Sequence, residues 1–83
     1  MKVGLLGGSF DPVHLGHLVV AQEALWRLSL ERVVFVPGRL PPHKLHRRLA
    51  PPDDRLRMVQ LAIEGNPAFE VSDIELRRDG PSY

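Results

Sequence analysis

Lys2-Val3-Gly4-Leu5-Leu6-Gly7-Gly8-Ser9-Phe10-Asp11-Pro12-Val13-His14-Leu15-Gly16-His17 contains a change of rhythm. The apolar run Lys2 to Leu6 is short and is stopped by Gly7-Gly8, which suits a buried strand. From Leu15 to Leu30 the period becomes helical: Leu18, Ala21, Leu25 and Leu28 share one side, while Gln22, Glu23 and Arg27 take the other. Trp26 falls off that stripe and reads as packing or a partner surface. Arg32-Val33-Val34-Phe35-Val36 is a second strand-like run, closed by Pro37-Gly38. Strand, helix and strand in this order predict a right-handed βαβ unit with parallel strands.

Working outward, the stretch from Pro37 to Pro52 holds five of the eight prolines and reads as a long loop. Asp53 or Asp54 can cap a second helix with Leu56, Val59 and Ile63 on one face, stopped by Gly65 and Pro67. Phe69-Glu70-Val71 alternates, and Ile74-Glu75-Leu76 alternates again after Ser72-Asp73, predicting a third strand with a bulge. The expected fold is α/β: a Rossmann-like, doubly wound parallel sheet, of which residues 1–83 supply the N-terminal β-α-β-α-β half of one domain. Ligands of such sheets bind at the carboxyl ends of the strands, where the strand order reverses. That crevice needs a fourth strand beside the first, and these residues supply none. The C-terminal half is therefore expected to be absent from this chain, little activity is expected of it alone, and its unpaired strand edge should favour self-association.

Composition narrows the function classes. With 83 residues and 43% apolar content the chain can bury a modest core. A net charge of +1 gives no global field for nucleic acid or anionic lipid. Charge is uneven, however: residues 1–36 balance, residues 53–83 are acidic, and Arg39, Lys44, Arg47 and Arg48 lie in a stretch without an acid. There is no cysteine, and histidines alone (His14, His17, His43, His46) are not the usual structural zinc set, so no metal site is expected. No run approaches a membrane span and no signal segment is present, making a cytoplasmic protein the default.

The turn after the first strand carries the chemistry. Gly7 and Gly8 let a phosphate approach the backbone, and the helix start that follows presents N–H groups and a partial positive charge. His14 and His17, three apart, share a face of the first turn, and Gly16 leaves room for a ligand. Asp11 suits a turn, an N-cap or a functional role equally. The turn is neither the dehydrogenase fingerprint nor a P-loop.

Gly8-Ser9-Phe10-Asp11-Pro12-Val13-His14-Leu15-Gly16-His17 resembles the H-x-G-H signature of the nucleotidyltransferase superfamily. Val36-Pro37-Gly38-Arg39-Leu40-Pro41-Pro42-His43-Lys44 and Ile74-Glu75-Leu76-Arg77-Arg78-Asp79-Gly80-Pro81-Ser82-Tyr83 narrow the likeness to bacterial nicotinate-nucleotide adenylyltransferases, as does Asp54-Arg55-Leu56-Arg57-Met58. The resemblance implies adenylyl transfer from ATP, with Mg²⁺ on its phosphates, to nicotinate mononucleotide. It implies His17 at the α-phosphate, His14 on the β/γ side, and Lys44 at the phosphates. It also implies Gly7, Gly8, Ser9, Phe10 and Gly16 against the nucleotide and Ser82 and Tyr83 at the acceptor. An adenylyltransferase with another acceptor, such as phosphopantetheine, and a non-catalytic nucleotide-binding fragment are the alternatives.

Overall fold

The computed structural model describes residues 2–38 and 50–77. The elements follow in the order β1 (Val3–Gly8), α1 (Leu15–Arg27), β2 (Arg32–Pro37), α2 (Pro52–Ile63) and β3 (Phe69–Val71). The three strands are parallel, in the order β1-β2-β3. The β-α-β-α-β architecture is thus the expected Rossmann-like one.

Its layers follow from the strand period of two. The register places Gly4, Leu6 and Gly8 beside Val33, Phe35 and Pro37 on one face. That face is covered: Ala21 from α1 and Val59 and Ile63 from α2 form one buried cluster with Val33, Phe35, Phe69 and Phe10. Side chains of the opposite face are more open, with Val3 and Leu5 exposed. On that face Arg32 donates to Glu70 at 2.8 Å, tying β2 to β3. No helix among the described residues is long and apolar enough to cross a membrane.

Four boundaries differ from the sequence expectation, each for a local reason. β1 continues through Gly7 and Gly8, because Val36 and Pro37 of β2 keep them in the ladder. α1 stops at Arg27, three residues early. Leu30 N–H reaches back to Leu25 O and Ser29 N–H to Trp26 O, with Ser29 in the left-handed region at φ 53, a Schellman stop with serine where glycine is usual. α2 begins at Pro52 with Pro51 at its N-cap, so neither Asp53 nor Asp54 caps it; both lie in the first turn, where the helix dipole favours them. β3 is three residues long, and Ile74-Glu75-Leu76 forms a turn rather than a second strand segment. There Leu76 and Arg77 N–H both donate to Asp73 O, an arrangement that replaces strand pairing. Trp26 lies off the core at 69% exposure, on the side its position in the period assigned.

Candidate functional site

The site is built on the turn from Gly8 to His17, at the carboxyl end of β1. Phe10 makes the turn possible. Its backbone takes the left-handed region at φ 52, and its ring is buried at 1% exposure, edge-on to His17 at 4.8 Å and tilted against Phe35 at 5.7 Å. A core side chain in the middle of the turn fixes what would otherwise be a free loop, and it supports His17 from below. The Asp11-Pro12 peptide is cis.

The rings of His14 and His17 lie together, as their spacing implies, but His14 stands before the helix rather than within its first turn. His14 is the N-cap, in extended conformation at φ −142, ψ 174. Its Nδ1 accepts the N–H of Gly16 at 3.1 Å, and Nδ1 of His17 accepts the N–H of His14 at 3.0 Å. This is a reciprocal cap in which two imidazoles do the work usually done by a hydroxyl and a carboxylate. The rings lie 3.9 Å apart, inclined by 30°. With each Nδ1 engaged as an acceptor, the neutral ring must carry its proton on Nε2. Burial, and secondly the nearness of His14, pull the His17 pKa below its ordinary value, so His17 is neutral at pH 7. The N–H of His17 is itself bonded to His14 O at 3.0 Å. Of the donors expected at this helix start, the amides of Gly16 and His17 are therefore already used, and two Nε2–H groups take their place.

The glycines divide by purpose. A Cβ on Gly16 would stand 2.8 Å from Cε1 and 2.9 Å from Nδ1 of His14. Gly16 thus makes room for the neighbouring imidazole. At Gly7 and Gly8 the nearest atoms to such a carbon are 3.9 Å and 3.6 Å away, ordinary contacts. The chain's own packing does not demand glycine there, which leaves both positions open to close approach from outside. Gly7, Gly8 and Ser9 are exposed.

Asp11 neither caps α1 nor faces the histidines in a bonded contact: its Oδ2 accepts the N–H of Ala50 at 3.1 Å. Lys44, Arg39, Arg47, Arg48, His43, His46, Ser82 and Tyr83 lie outside the described residues.

The chain matches the model of the cytidylyltransferase-like family over residues 5–80, so the match takes in the turn, His14 and His17, most of β1 and all of β2 and β3. The chain belongs to the cytidylyltransferase-like family. It is 52% identical over 82 residues to a protein of Geobacillus kaustophilus named "Probable nicotinate-nucleotide adenylyltransferase". Proteins of the same name from Symbiobacterium thermophilum and Dehalococcoides mccartyi are 56% and 49% identical. These matches cover 99–100% of the chain and 38–41% of the relatives, so the chain spans about two fifths of their length.

Within this cytidylyltransferase-like half-sheet one residue of consequence carries no obvious sequence signal of chemistry. Arg55, on α2, is 2% exposed and is the buried charged side chain of the described residues. Its Nη1 donates to Ser9 O at 2.9 Å and to Gly38 O at 2.7 Å, and its Nε to Ala50 O at 3.0 Å. Burial lowers its pKa below the ordinary arginine value and Asp11 partly opposes this; the guanidinium stays a cation at any working pH. A signal was available: Arg55, Val59 and Ile63 recur every four residues, placing an arginine on the buried stripe of α2.

Proposed function

We propose that this chain carries the ATP-binding part of an enzyme that transfers an adenylyl group from ATP to nicotinate mononucleotide, giving nicotinate adenine dinucleotide and pyrophosphate. The observation that supports this most is the reciprocal His14–His17 cap, which takes up both Nδ1 atoms and sets the two imidazoles side by side at the carboxyl end of β1. The names of the relatives supply the acceptor.

In the reaction an oxygen of the mononucleotide 5′-phosphate bonds to the α-phosphorus of ATP. The bond from that phosphorus to the bridging oxygen breaks, and pyrophosphate leaves with the electron pair. The attacking phosphate is ionised at neutral pH, so neither a strong base nor a covalent nucleophile is required. The tasks are alignment of two anions and neutralisation of developing charge. His17, held neutral and supported by Phe10, donates from Nε2 to the α-phosphate oxygens. His14 donates on the β/γ side, Gly7, Gly8 and the Ser9–Phe10 backbone admit the nucleotide, and Lys44 adds a point charge. Ser82 and Tyr83 belong to the acceptor side. ATP enters as its Mg²⁺ complex, the metal being part of the substrate.

The test is a product assay on the whole protein with MgATP and, in parallel, nicotinate mononucleotide, nicotinamide mononucleotide or phosphopantetheine. Nicotinate adenine dinucleotide and pyrophosphate in equal amounts are expected. Turnover with phosphopantetheine alone would replace the acceptor, and no pyrophosphate with any acceptor would end the reading.

A further inference from the structure

We propose that Arg55 is a positioning residue of this site, a strut that sets the turn bearing His14 and His17 against Gly38 and Ala50, the residues that flank the basic stretch 39–49 in sequence. Its kinetic consequence rests on the adenylyl-transfer reading above; its structural consequence does not.

Three carbonyls from three separate segments converge on one guanidinium. Ser9 is 46 residues away in sequence and belongs to the turn after β1. Gly38 is 17 residues away and closes β2, and Ala50 leads into α2. Gly38 and Ala50 border the stretch 39–49, and each is tied twice. Gly38 donates its N–H to Gly8 O at 2.8 Å and gives its carbonyl to Arg55. Ala50 donates its N–H to Asp11 at 3.1 Å and gives its carbonyl to Arg55. Asp11, in the histidine turn, and Arg55 thus hold the same residue from two directions. Gly38 and Ala50, which flank the acid-free basic stretch in sequence, are both bonded to the segment Gly8–Asp11.

Two physical points favour positioning over simple stability. Removing a cation from water is costly, and buried charges are often replaced by apolar residues at no loss. On the stripe formed with Val59 and Ile63, a leucine or methionine would fill the same space but would bond none of the three carbonyls. The second point is geometry. The planar fork directs Nε and Nη1 to different acceptors at fixed angles, whereas a lysine ammonium is one point that cannot serve all three carbonyls in the same arrangement. No buried side-chain nitrogen or oxygen of the described residues lacks a partner, and Nε and Nη1 of Arg55 are both bonded.

The experiment uses the whole protein and two variants, Arg55→Lys and Asp11→Ala, with amide hydrogen exchange and steady-state kinetics. For Arg55→Lys, exchange at Gly38 and Ala50 should rise at least about tenfold while Val33 and Ser72, in the sheet ladder, keep their protection. The kcat/KM for MgATP should fall about 10–100-fold, the range a displacement near 1 Å produces. Asp11→Ala keeps the cation and should free Ala50 alone, leaving Gly38 protected, and it serves if Arg55→Lys does not fold. Unchanged exchange at Ala50 in Asp11→Ala, or at both residues in Arg55→Lys, overturns the strut. So does a uniform rise that includes Val33 and Ser72, which would make Arg55 an ordinary stabilising residue. If the unaltered protein makes no adenylyl product, the functional reading falls, and the exchange pattern alone then decides for or against Arg55.

Discussion

Gly16→Ala separates the two roles that meet at the start of α1. The added carbon would lie 2.8 Å from Cε1 of His14, so the imidazole must retreat about 0.6 Å to reach ordinary contact at 3.4 Å. Retreat stretches or breaks the 3.1 Å bond from Gly16 N–H to His14 Nδ1. Losing an N-cap bond of this kind costs about 1 kcal/mol. Replacing a helical glycine by alanine returns up to about 1 kcal/mol through lower backbone entropy. The two terms nearly cancel, and the melting temperature should move little. Activity has no such compensation, since His14 and its stacked neighbour His17 both move. A displacement approaching 1 Å in a phosphate-positioning group costs up to about 100-fold. Thermal melts and steady-state kinetics of the whole protein measure both quantities together. The expected result is a change in Tm of a few degrees at most with kcat/KM reduced at least about tenfold. Full activity in a protein of unchanged stability would show that the imidazole position does not matter, and the role assigned to the cap would go with it.

His17→Ala should lower kcat about 10²–10³-fold with little change in KM for ATP, the signature of a donor used mainly in the transition state; unchanged kcat refutes it. The depressed His17 pKa carries a sign for stability. The unfolded chain binds a proton near pH 6.5 and the folded one only below that, so His17 favours folding fully above pH 6.5 and progressively less as pH falls through the folded value. Melts between pH 7.5 and 4.5 should show this slope in the unaltered protein and a shallower one in His17→Ala; equal slopes would remove His17 as the cause. Ser29→Gly should stabilise by roughly 1 kcal/mol, because the left-handed φ of 53 is strained for serine and free for glycine; a denaturant midpoint at or below that of the unaltered protein would contradict it.

Short-range signals carried much of this protein. The apolar run before Gly7, the helical repeat Leu18-Ala21-Leu25 and the β-branched Arg32–Val36 segment each identify an element from neighbours a few positions away, and their order dictates a parallel βαβ sheet. The place of the two histidines and the glycines was equally legible, since spacing alone puts them at a strand end and a helix start. What the spacing could not decide was how the imidazoles are used. Whether His14 lies inside the helix or caps it depends on the backbone of a turn held by the burial of Phe10 against Phe35, a contact between residues 25 apart. The spacing did not show that a Cβ at Gly16 would meet that capping ring. The second alternating segment, Ile74-Glu75-Leu76, has a strand's rhythm, but β2 ends its pairing at Val71, and an unpaired alternation folds into a turn. Arg55 is the clearest case. Only its place on the Val59–Ile63 stripe distinguishes it from Arg57 two residues on. Only the packing of α2 on the sheet brings the carbonyls of Ser9, Gly38 and Ala50 to the one guanidinium of Arg55.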